Sequence, residues 1–89
     1  MKITVDISLY PLDSDFLPPI KGFIRRLRQF DGLELVTNQL STQIRGEFQQ
    51  VTEALNQCMF ESMQSGKKMV FVTRYLNSDL EIGRPPQID

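Results

Sequence analysis

Apolar residues alternate with polar ones from Lys2 to Tyr10, placing Ile3, Val5, Ile7 and Leu9 on one side and Thr4, Asp6, Ser8 and Tyr10 on the other. A period of two over this length predicts a strand with one buried face. Pro11 ends its ladder, and Asp13, Ser14 and Asp15 supply turn chemistry before a helix starting near Asp15. Phe16, Ile20, Phe23, Ile24, Leu27 and Phe30 then recur at helical spacing. Pro18 and Pro19 fall in the first turn, where amides have no partner inside the helix. Lys21, Arg25, Arg26, Arg28 and Gln29 occupy the rest of the wheel, as on an ordinary solvated face.

Asp31-Gly32 closes that helix. Leu33–Thr37 and Leu40–Glu47 read as two strands around a reversal at Asn38-Gln39, with Ile44 marking the buried face of the second. A second helix is predicted over Phe48–Ser65, with Val51, Leu55, Cys58 and Ser62 as its central stripe, flanking Phe48 and Met59, and Gly66 as its stop. Phe60 falls outside the stripe and is offered to solvent or a partner. Lys68–Leu76 completes the regular part; Val70 and Val72 are expected to face the helices, and Met69, Phe71, Thr73 and Tyr75 to face away. Residues 1–76 therefore form one domain, and 77–89 an irregular, partly mobile tail.

The order strand, helix, strand, strand, helix, strand has one common compact solution. It is the α+β ferredoxin-like fold, a four-stranded antiparallel sheet of order 4-1-3-2 with both helices on one face. In that topology the end of the first strand lies beside the start of the third. Ser8 and Tyr10 then approach Ser41 and Thr42, with Asn38 at the rim. These residues either satisfy local backbone groups or contact a small polar molecule. Tyr10, Val36, Met69, Phe71 and Tyr75 are expected on the open face among Asp6, Gln43, Arg45 and Thr73, which favours self-association through it. Asp6 and Arg45 are expected to form a cross-strand ion pair.

Composition narrows the chemistry. A net charge of -1 disfavours general nucleic-acid binding. One cysteine, Cys58, and no histidine disfavour a disulfide, a thiolate-imidazole pair and most zinc sites, so no catalytic centre, metal or cofactor is expected. The lack of a signal-like start, and of any run near the roughly 18 apolar residues that span a bilayer, points to a cytoplasmic protein without membrane contact.

The segments I-S-L-Y-P-L at 7–12, L-S-T-Q-I-R-G-E-F at 40–48 and G-K-K-M-V-F-V-T at 66–73 resemble the thiamine-binding YkoF-like family of the thiamine-binding ferredoxin-like superfamily. The resemblance implies a non-catalytic protein that holds thiamine or its hydroxymethylpyrimidine moiety for salvage or transport. Carried onto this chain, it implicates Ser8, Tyr10, Ser41 and Thr42, with Asn38 as a further member. Its namesake resembles two such domains in tandem, so a single-domain chain would rebuild the arrangement as a homodimer or higher oligomer. Three other classes share the scaffold. Acylphosphatase chemistry lacks its Gly-rich loop and arginine between Pro11 and Phe16. Single-stranded RNA binding lacks its basic aromatic segment. A small-molecule-sensing regulatory module of the amino-acid-binding type remains as the alternative.

Overall fold

A computed structural model describes residues 1–89. Its elements are β1 (Lys2–Pro11), α1 (Leu17–Leu27), β2 (Glu34–Thr37), β3 (Thr42–Glu47), α2 (Phe48–Met63) and β4 (Met69–Leu76). The strands form one sheet in the order β2-β3-β1-β4, with every neighbouring pair antiparallel. This is the expected ferredoxin-like arrangement, read from its other edge.

The core lies between the sheet and both helices. Ile3, Val5 and Ile7 of β1, Ile44 of β3, Phe23 and Leu27 of α1, and Val51, Ala54, Leu55 and Cys58 of α2 are all buried. Their spacing is two in the strands and three or four in the helices, so each element presents one apolar side to the same volume. Gly46 belongs to this packing, because an added Cβ would lie 3.0 Å from Leu33 and 3.3 Å from Val51. Phe60 is exposed, as its helical position requires.

Element ends depart from expectation where local chemistry competes with the helix. The Asp13 carboxylate accepts the Asp15 amide at 3.2 Å, so it closes a turn and α1 opens at Leu17. At the other end the chain tightens: Gln29 and Phe30 donate their amides to the Arg26 and Leu27 carbonyls, and Phe30 packs on the core from outside the helix. Gly32 and Gly66 follow α1 and α2 with φ near +80°, the left-handed conformation suited to leaving a helix.

The face assignment of β4 is reversed. Leu9 pairs with Phe71 and Ile7 with Thr73, and directly paired residues share a face, so Met69, Phe71, Thr73 and Tyr75 have the phase of the core. The Phe71 ring meets Phe23 of α1 at a centroid separation of 5.2 Å, tilted 53°. Val70 and Val72, opposite Tyr10 and Ser8, are exposed on the open face. Both phases of β4 carry apolar residues, so alternation alone could not choose; a shift of one residue exchanges the faces.

Residues beyond β4 are irregular, and the first of them, Ser78 to Glu81, are anchored to the sheet. Thr4 Oγ1 donates to the Ser78 carbonyl at 2.7 Å and accepts the Leu80 amide at 3.0 Å. Arg45 holds Asp79 at 2.6 Å, Glu34 at 3.2 Å and Glu81 at 3.3 Å. The segment therefore covers the Thr4 and Arg45 end of the open face and buries Thr4. The expected Asp6–Arg45 pair does not form. Arg45 is opposite Thr4 on β1 and takes its partners from β2 and the tail, whereas Asp6 is opposite Gln43 and Arg74.

Candidate functional site

The β2–β3 reversal is built by Asn38. Its side-chain oxygen accepts the Leu40 amide at 2.9 Å and the Ser41 amide at 3.1 Å, while its own amide donates to the Ser41 carbonyl at 3.0 Å. Asn38 thus closes the reversal through its side chain, and no residue of the turn takes a positive φ. The reversal leaves Leu40 outside the strand and almost wholly exposed.

Between this reversal, the far half of β1 and the first turns of α1 lies a cavity of about 90 Å³. Ser8, Asn38, Ser41 and Thr42 line it, together with Thr37, Gln39 and the apolar side chains of Ile20, Phe23 and Ile24. The structure thus brings together the sequence-predicted residues except Tyr10. That ring lies on the open face opposite Val70, two residues beyond Ser8. Ser41 and Thr42 are neighbours in sequence but turn to opposite sides of the sheet.

On the core side, the Thr42 and Thr37 hydroxyls are 3.1 Å apart and Thr42 is buried. One proton lies between them; the other hydroxyl keeps a proton to donate elsewhere. On the open side, Ser41 Oγ donates to Asp6 Oδ1 at 2.7 Å, and Gln43 Nε2 donates to the same oxygen and to Ser41 Oγ, each at 2.9 Å. Ser8 Oγ donates to the Leu40 carbonyl at 3.3 Å. Arg74 completes the group by donating to Asp6 Oδ2 at 2.8 Å.

Partial burial pushes the Asp6 carboxyl up. The hydrogen bonds from Ser41, Gln43 and Arg74, with the charge of Arg74, outweigh it and hold the group below the usual carboxylate range. Asp6 is therefore an anion at neutral pH. Asp6, Gln43 and Arg74 were absent from the sequence-predicted set. The polar phase of β1 showed Asp6 beside Ser8, but Arg74 enters only through the β1–β4 register.

Cys58 sits on the opposite side of the molecule, between the helices. Burial raises its thiol, more than Arg26 lowers it, so it stays protonated and serves as apolar filling. Beside it, Arg26 grips Glu61 through two bonds of 2.9 and 3.3 Å and lies over the Phe30 ring. Most of the basic face of α1 remains solvated. No helix is long and apolar enough to cross a membrane.

Residues 2–85 match the YKOF-related family. The chain belongs to that family. A Streptococcus pneumoniae protein shares the fold of this YkoF-related chain with a TM-score of 0.81 at 18% identity, covering 90% of each chain. A Thermotoga maritima protein assigned provisionally to thiamine biosynthesis or salvage gives 0.75 at 20%, covering 97% of this chain and 90% of the other. A Bacillus cereus domain of unknown function gives 0.75 at 14%, covering 92% and 84%. At these identities the likeness establishes the fold alone. No curated protein matches the sequence.

Proposed function

We propose that this YkoF-related protein binds thiamine or its hydroxymethylpyrimidine moiety without transforming it, in vitamin salvage or transport within the cytoplasm. The observation that carries the reading is the hairpin cavity, lined by Ser8, Asn38, Ser41 and Thr42 in a chain that belongs to this family. The Thermotoga maritima neighbour's provisional assignment supports the same chemistry. An aminopyrimidine presents donors and acceptors around a flat apolar ring. On its core side the cavity offers the paired Thr37 and Thr42 hydroxyls against Phe23, Ile20 and Ile24. Its volume is below the roughly 300 Å³ of ordinary ligand pockets, so it would admit one small ring, with the rest of the ligand outside.

Calorimetric titration with thiamine and with hydroxymethylpyrimidine tests this. Heat of binding is expected for both, weakened by Ser8→Ala and by Thr42→Val with the fold intact. No heat from either compound at high micromolar protein would overturn the proposal. Self-association accompanies it: Tyr10, Val70 and Val72 form an uncovered apolar patch at the end of the open face away from the tail, suited to a second copy. Sedimentation of the wild type against Val72→Lys would show a loss of the larger species.

A further inference from the structure

The roomiest recess lies on the other side of Ser41 and Gln43 from the hairpin cavity. It is a cleft of about 520 Å³ between the open face and the tail, within the size range of small-molecule sites. Asp6 and Gln43 provide its polar part, Arg74 its edge, and Leu76, Leu80 and Ile82 its apolar part. We propose that this cleft binds a small organic cation with an apolar body, the cation taking the place of Arg74 on Asp6.

The argument rests on how unequally the Asp6–Arg74 pair is housed. The Asp6 side chain is 22% exposed, whereas that of Arg74 is 79% exposed. Asp6 Oδ1 is saturated from within the sheet by Ser41 and Gln43, which fix the carboxylate's orientation. Oδ2 faces Arg74, whose guanidinium has Asp6 as its sole side-chain partner. Such an arm is held by little, because exposed ion pairs contribute roughly 0.2–1 kcal/mol. A ligand cation would restore the same bond and add burial against Leu76, Leu80 and Ile82 that a surface arginine does not supply. The surrounding charge favours it as well: Asp6, Glu34, Asp79 and Glu81 stand against Arg45, Arg74 and, acting more weakly, Lys2. This site is independent of the hairpin cavity's proposed ligand.

Benzamidine is a suitable probe, with benzamide as its neutral counterpart. In a two-dimensional NMR titration, benzamidine should shift the signals of Leu76, Leu80 and Ile82, and benzamide should not. Arg74→Ala should tighten benzamidine about two- to fivefold, the factor released with an exposed pair. Asp6→Asn should weaken it at least about tenfold, as for loss of a charged hydrogen bond. Equal binding of the two probes, or no tightening in Arg74→Ala, would overturn the proposal; the probe pair decides even if Asp6→Asn unfolds. Shifts confined to Thr37, Leu40 and Thr42 would also overturn it, placing the cation in the hairpin cavity. Thiamine failing to bind that cavity would leave this result unchanged.

Discussion

Two charged clusters share the open face of the sheet, and they are built in opposite ways. Around Arg45, one arginine with 23% of its side chain exposed is held by three carboxylates, two of them from the tail. Around Asp6, one sheltered carboxylate is held by two neutral donors and one exposed arginine. In the first, removing any partner leaves two others, so the cluster fastens the tail to the sheet. In the second, the charged partner is single and exchangeable. The burial of the partner, more than the presence of an ion pair, separates a fastening from a site that can accept a ligand.

The largest effect is expected from the layer that supports both clusters. Ile44 lies fully buried in β3, between Gln43 and Arg45 in sequence and on the opposite face. Ile44→Ala should cost about 2–5 kcal/mol in a denaturant titration, since a cavity opens where the strands pack on the helices. Both clusters should loosen together. A loss under 1 kcal/mol would mean that the core tolerates repacking there.

Next comes a change that breaks only the tail end. Thr4→Val keeps the shape but removes the hydroxyl that bonds the Ser78 carbonyl and Leu80 amide, at a cost of about 0.5–1.5 kcal/mol per bond, since both residues are exposed and water can replace the partner. Hydrogen exchange at Leu80 should speed up while exchange at Ser41 does not change. Faster exchange at both would show that the clusters are one cooperative unit.

Acidification sharpens the contrast from the other side. Because the folded Asp6 lies below its ordinary value of 3.8, its stabilising contribution is complete above that value and is lost as pH falls through the lower folded one. Asp79, lowered mainly by its bond to Arg45, titrates in the same direction. Thermal melts from pH 7 to pH 2 should therefore show stability falling below about pH 4. The fall should be shallower in Asp6→Asn, and an unchanged acid limb would count against a depressed Asp6.

The smallest effect serves as a control remote from both clusters. Gly22 lies inside α1, and an added Cβ would meet nothing within 4 Å. Gly22→Ala should stabilise by about 0.8–1 kcal/mol through helix propensity and leave benzamidine binding unaltered. A lower melting temperature would mean that the glycine has a role packing does not show.

Much of the candidate site was legible before any coordinates. Ser8, Asn38, Ser41 and Thr42 could be brought together from element order, because the fold places the end of β1 beside the start of β3. Tyr10 could not be separated from them, since a strand carries the side chain two residues on away from a cavity confined to one end. Asp6 was visible as a polar residue of β1, but its pairing was misread. Arg45 is one pair too far along β3, and the arginine that reaches Asp6 comes from the other neighbouring strand.

What the sequence by itself determined is therefore the period of each element, the order of elements and most of the core. Those follow from spacing within a few residues of chain. The tertiary structure alone decided which face of β4 turns inward, which arginine meets Asp6, and that the tail is fastened across the sheet. Each of these depends on register between segments up to 76 residues apart, as from Thr4 to Leu80, and no local pattern carries that information.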